Sequence, residues 1–275
     1  MPHLRFAALV LAVAFAAPAF AEGTRPYAPA HVTYDRSAEN DPALKTLIER
    51  LRAAVTAYDL DALAKDLSPD LAIADCSADP LKACPAPAAP PKPSAKPTAP
   101  KRAAAPPRPL ERLLQGLCCK DIPRQHITKQ MREQTALGII GAALEEETLG
   151  SNPDLPGAAC LPAFPLFDRV AALKTVEAAD IEPANLRVTA QPLELRARPD
   201  AAASVSATLP KGALAALVTE LPESLPDGWT ALALPQGGVG FTREGGLNDL
   251  APAGICFAKD GDGAWKIALV ALRRS

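Results

Sequence analysis

Between Val188 and Leu247 the apolar residues of this chain recur at every second position in runs of only four or five residues. That period confines the stretch to short strands with one buried face. Leu193 and Leu195 alternate with Glu194 and Arg196, and Arg198-Pro199-Asp200 ends the run with turn chemistry. Apolar positions resume at Val205, Leu209, Leu214 and Leu217, with Lys211-Gly212 as a reversal among them. Thr230 to Leu234 and Val239 to Phe241 read as a hairpin around Pro235-Gln236-Gly237-Gly238, because glycine accepts the positive φ that tight turns need. Five short strands in about sixty residues predict a small closed or nearly closed β-barrel.

These positions resemble the bacterial SH3 (SH3b) domain, whose pattern is a Leu-x-Val/Leu-Arg-x-x-Pro strand, a Lys-Gly turn, a Gly-Trp strand and a terminal Gly-Trp-Val/Ile element. Leu193, Leu195, Arg196, Pro199, Lys211, Gly212, Gly228, Trp229, Gly240 and Phe241 match in order, followed by Leu247. Glu194 stands where Asn is common and Phe241 where Trp is common, and at the second the aromatic character is kept. The resemblance covers under a quarter of the chain. It implies binding to cell-envelope material, often peptidoglycan peptides, or a structural role beside another domain, and it does not imply catalysis. On this reading Arg196, Trp229 and Phe241 are the candidate ligand-binding residues, in loops near 196–200, 221–229 and 237–241. The family position of Trp229 also suits core packing.

Met1 to Ala21 has the layout of a secretory signal: Arg5, an apolar stretch, then Ala19-Phe20-Ala21 as a small-x-small cleavage site. A mature chain starting near Glu22 is expected to be periplasmic or secreted. No later segment reaches the roughly 20 apolar residues of a spanning helix, so no integral membrane span is expected after cleavage. The whole chain has 29 basic and 31 acidic side chains, and losing Arg5 makes its formal charge of -2 one unit more negative. That near balance excludes a general nucleic-acid binder, which shows a basic excess or stripe.

Six cysteines, Cys76, Cys84, Cys118, Cys119, Cys160 and Cys256, lie after the expected cleavage point, and an even count in an exported chain favours disulfides. Sequence does not fix their connectivity. Cys76 with Cys84 would close a short loop containing Pro80, and Cys160 with Cys256 would clip together the flanks of the barrel. A bond between adjacent Cys118 and Cys119 would form a strained ring, so these two stay unassigned. No Cys-x-x-Cys pair is present, which argues against zinc, and neither metal nor cofactor is expected.

Asp41 to Tyr58 predicts a helix, with Asp41 as cap, Pro42 in the first turn, and Leu44, Leu47, Ile48, Leu51, Val55 and Tyr58 on one face. A short helix through Leu60, Leu63 and Leu67 and a strand at Leu71 to Ala74 follow. The opening, with Tyr58-Asp59-Leu60-Asp61-Ala62-Leu63 and Ser68-Pro69-Asp70, and the closing pair Ile255 to Lys259 and Trp265 to Val270 are similar to the two ends of NTF2-like (SnoaL-type) domains. Residues 85–109 are a different material, with ten prolines, five basic side chains and no acid. Such a segment has too little bulky apolar surface to offset ordering entropy, and reads as an extended linker. Helices are expected over Leu110–Leu117, Thr128–Leu149 with Gly150 as C-cap, and Leu166–Ala179. Gly138 and Gly141 mark a close helix crossing, and Cys160 falls in an irregular loop.

Catalytic readings are thin. Only His31 and His126 remain after export, His31 in a polar N-terminal arm read as mobile, and Cys119 with His126 is the one candidate nucleophile and base. Glu145-Glu146-Glu147 ends a helix, where consecutive side chains diverge and read as a solvated face rather than a facing acid pair. Asp260-Gly261-Asp262-Gly263 lacks the later ligands of a calcium loop and reads as a hairpin turn.

The sequence therefore predicts an α+β protein, a helical body with an SH3-like small β-barrel and a C-terminal β-hairpin packing on that body. Its segments are 1–21 (signal peptide), 22–84 (N-terminal helical segment), 85–109 (linker), 110–184 (helical segment), 185–249 (barrel) and 250–275 (hairpin of the body). The function expected is non-catalytic recognition in the cell envelope, with peptidoglycan or an envelope protein as partner. A purely structural or protein-partner module, and a cysteine-type envelope hydrolase, are the alternatives.

Overall fold

The computed structural model describes residues 24–76, 79–84, 107–118 and 122–273. The expected signal segment, most of the proline-rich linker and Cys119 lie outside the described residues. The protein has an α+β architecture, and the chain builds one sheet in two visits.

The first visit begins with α1 (Pro42–Thr56). The Asp41 carboxylate caps it by accepting from the amides of Ala43 and Leu44 at 2.9 and 3.1 Å. Leu44, Leu47, Ile48 and Leu51 are buried along one face, whereas Tyr58 is 71% exposed. The helix ends before Tyr58, which takes a φ of 55° in the following turn and points its ring out of the apolar stripe. The short helix α2 (Leu60–Lys65), capped by Asp59, leads into β1 (Leu67–Asp75). Then α3 (Pro109–Leu117) and α4 (Lys129–Glu145) cover the sheet; Thr128 caps α4 by accepting from Met131 N at 3.1 Å.

Helix α4 stops at Glu145, short of the expected Leu149, and Gly150 lies in β2 (Gly150–Ser151) instead of capping a helix. A Cβ on Gly150 would stand 2.5 Å from the Asp35 carbonyl oxygen and 2.6 Å from Ala163 Cβ, so a close approach of three segments selects glycine here. Of the two helix glycines, Gly141 faces Val55 at the crossing with α1, while Gly138 has nothing within 4 Å of where a Cβ would be. Cys160, expected in a loop, sits in β3 (Ala159–Leu161), paired with β2. Helix α5 (Arg169–Ala179) follows, capped by Asp168, and ends at Asp180 with a φ of 53°.

The chain then forms seven short strands: β4 (Leu186–Thr189), β5 (Leu193–Arg196), β6 (Val205–Leu209), β7 (Leu214–Ala216), β8 (Trp229–Ala233), β9 (Val239–Arg243) and β10 (Leu247–Asp249). They make two antiparallel sheets, in the orders β10-β4-β7 and β6-β5-β9-β8, joined by a bridge between Leu217 and Leu232. The ladders do not close into a barrel. Leu193, Leu195, Leu209, Ala213, Ala215, Leu232 and Leu234 fill the space between the sheets. A Cβ on Gly240 would stand 2.6 Å from Leu234 Cδ2 and 2.9 Å from Leu195 Cβ, so this motif glycine is required by packing.

The second visit is the hairpin of β11 (Gly254–Lys259) and β12 (Trp265–Leu272). Strand β12 lies parallel to β1 and antiparallel to β11, and β11 pairs with β3, giving the order β1-β12-β11-β3-β2. Residues from both visits share one core: Leu44, Leu51, Leu113 and Ile140 from the helices meet Phe257, Ile267 and Val270 from the hairpin. Two polar ties reinforce it. Trp265 Nε1 donates to the Asp41 carboxylate at 3.0 Å, and Arg50 makes a forked pair with buried Asp66 at 2.8 and 2.7 Å. The Leu44 amide and then the Trp265 indole hold the Asp41 pKa below its ordinary value.

Cys160 stands opposite Cys256 in the β3–β11 ladder and is disulfide-bonded to it; Cys76 is bonded to Cys84. Cys118 is also disulfide-bonded, and no described cysteine is free. No described helix is long and apolar enough to cross a membrane.

Candidate ligand-binding cleft

The three residues singled out by sequence are brought together, but their polar and aromatic surfaces are already engaged. Arg196 pairs with Phe241 between β5 and β9. Its guanidinium donates to the Ala203 carbonyl at 2.7 Å and to Glu194 at 2.9 Å, which pins the turn that follows β5. Trp229 and Phe241 are 7% and 5% exposed and pack with Ala231, Val218, Leu221 and Leu225. Arg243 lies 4.6 Å from the Trp229 ring centroid and covers its face. The Gly237–Gly238 turn is occupied as well, since Gly238 N donates to Thr24 Oγ1 at 2.6 Å.

Thr24 belongs to the N-terminal arm, which is ordered along its described length rather than mobile. Arg25 N donates to Ala178 O, Tyr27 N to Pro235 O and Val32 N to Gly212 O, while Leu214 N donates to Ala30 O and Leu166 N to Thr33 O. The Tyr27 hydroxyl donates to Ala233 O at 3.0 Å, and burial pushes its pKa up to about 12. The arm thus straps the β-rich unit to α5 and to the segment after β3. Its signal in the sequence is the alternation Ala30, Val32, Tyr34, which is short but has the period of a strand.

Where the arm passes between the β-rich unit and the helical body it walls a cleft of about 700 Å³. One side is His31, Tyr34 and Arg36 of the arm; another is Thr189, Lys211 and Leu247 to Asp249 of the β-rich unit; the third is Glu146, Thr148, Pro162 and Pro165 of the body. Clefts between structural units, of this size and with a few convergent polar groups, are where small ligands and peptides bind. The Lys211–Gly212 reversal is central to it. Gly212 has a φ of 77°, and a Cβ there would stand 3.0 Å from Val32 O and 3.1 Å from His31 Cε1, so only glycine lets the arm lie this close. His31, Arg36 and Lys211 are exposed, whereas Tyr34 is half-buried, its pKa raised by burial against the opposing effect of Arg36.

Behind one rim, Asp249 is shared by Arg187 at 3.4 Å and by Arg273. Burial lowers the Arg187 pKa, Asp249 opposes that shift, and Arg273 adds to it. The remaining candidates do not converge on the cleft as a catalytic set. His126 is exposed in the short 124–126 turn, and its proposed partner Cys119 lies outside the described residues. Glu145, Glu146 and Glu147 are all exposed at the end of α4. Asp260 accepts from the amides of Asp262 and Ala264, both at 3.0 Å, and so builds the β11–β12 turn. Comparison with family models, curated proteins and solved structures finds no match, so the site is read from its own chemistry.

Proposed function

We propose that this is an exported, non-catalytic binding protein of the bacterial cell envelope, and that its SH3b-like unit recognises cell-wall peptide or glycan at the cleft beside the Lys211–Gly212 turn. The observation that carries this reading is the cleft itself, about 700 Å³ and walled by three separate stretches of chain. The disulfides Cys76–Cys84 and Cys160–Cys256 support an oxidising compartment. The engaged state of Arg196, Trp229 and Phe241 moves the expected contact surface from those residues to Lys211, His31 and Arg36.

Retention on purified sacculi tests the reading. The wild-type protein is expected to be retained and Lys211→Glu to be released, with both showing the same thermal midpoint because Lys211 is exposed. Equal retention of the two would discard the cleft, and no retention of the wild type would discard wall recognition. The protein-partner alternative is favoured by one feature, Val170 and Leu173 on α5, which are 65% and 46% exposed about one turn apart.

A further inference from the structure

We propose that the cleft takes a short extended peptide bearing a free carboxylate, laid along the outer edge of β10 with its carboxylate between Lys211 and Arg36. This rests on the recognition reading above and adds the ligand's chemical class and pose. Strand β10 ends the order β10-β4-β7, and among the described residues no strand pairs with its outer side. In an antiparallel ladder alternate backbone groups face away from the partner strand, so β10 turns unpaired donors and acceptors outward along the stretch, Leu247 to Asp249, that lines the cleft. An extended peptide is the ligand that satisfies such an edge.

Charge selects the peptide's end groups. Lys211 has no ion-pair partner among the described residues, and Arg36 reaches only Glu39, at 3.7 Å, with over half of its side chain exposed. Asp249 does not offset them, because Arg187 and Arg273 both engage it. Among the described residues lining the cleft, Glu146 on the body side is the carboxylate left for an ammonium group. Pro162 and Pro165 of that wall offer no backbone donor, whereas β10 presents a run of non-proline residues to the cleft.

The test uses soluble muropeptides released from sacculi and the same preparation after its carboxylates are converted to amides. Native muropeptides are expected to bind with an affinity that falls as salt rises. Amidation is expected to weaken binding about tenfold, and Lys211→Gln with Arg36→Gln to lower native binding to the amidated level. Amides of residues 247–249 are expected to gain protection from hydrogen exchange on binding. Equal binding of native and amidated muropeptides overturns the carboxylate site while leaving wall recognition standing. Binding without protection of 247–249 overturns the strand pose, and no binding of either preparation overturns both readings.

Discussion

Two glycines show how the same residue type answers opposite demands. Gly240 lies where a Cβ would collide with Leu234 and Leu195 in the middle of the β-rich core. Gly240→Ala is therefore expected to cost about 1–3 kcal/mol through overpacking. Gly138 lies inside α4 on an exposed face with nothing within 4 Å. Gly138→Ala is expected to add about 0.5–1 kcal/mol, because alanine loses less backbone freedom in a helix. Urea unfolding of the two variants against wild type checks both signs at once; a neutral Gly240→Ala would mean that the sheet relaxes around the added methyl. Sequence pattern alone marks Gly240 as part of a Gly-aromatic element, but it gives Gly138 and Gly141 the same weight. Only the placement of α1 separates them, since Val55 meets one glycine and not the other.

At the scale of elements, the arm is the part whose role sequence conceals. Its alternation is three apolar positions deep and comes directly after Pro26 and Pro29, too little to distinguish a docked strap from a loose leader. What fixes it is a series of long-range hydrogen bonds to Gly212, Ala178, Pro235 and Ala233, none of which has a local signature. Helices α1 and α4, by contrast, are legible because caps and periodicity are local. Tyr27 gives the strap a pH dependence. The folded phenol keeps its proton up to about 12, while the unfolded one loses it near 10, so the folded state binds more protons between those values. The contribution of Tyr27 is fully present below pH 10 and is lost as pH rises toward 12. Denaturation midpoints at pH 8, 10 and 11 are expected to fall along that limb in the wild type. Tyr27→Phe is expected to start about 1 kcal/mol lower, from the lost hydrogen bond to Ala233, and to flatten the limb. An unchanged slope in the variant would assign the alkaline loss to another group.

For the whole molecule, the decisive feature is that one sheet is completed from both sides of the β-rich unit. Among the described residues strand β1 pairs only with β12, and β12 follows nearly two hundred residues later, so the body sheet is complete only when the chain has returned from the β-rich unit. Such non-local pairing raises the entropy cost of closure. The Cys160–Cys256 disulfide joins β3 to β11 across a separation of 96 residues, and this loop contains the whole β-rich unit. In the chain-entropy account, closing a loop of that length is worth about 4–5 kcal/mol, whereas the Cys76–Cys84 loop, with a separation of 8, is worth roughly 2–3. Replacing Cys160 and Cys256 together by alanine is expected to lower unfolding free energy more than replacing Cys76 and Cys84. The loss should appear first in the hairpin β11–β12, whose Phe257, Ile267 and Val270 complete the helical core. Hydrogen exchange resolved along the chain tests this location. If the amides of β5, β8 and β9 lose protection before those of β12, the disulfide acts by holding the β-rich unit together, and the argument that it ties the two visits of the body sheet is wrong.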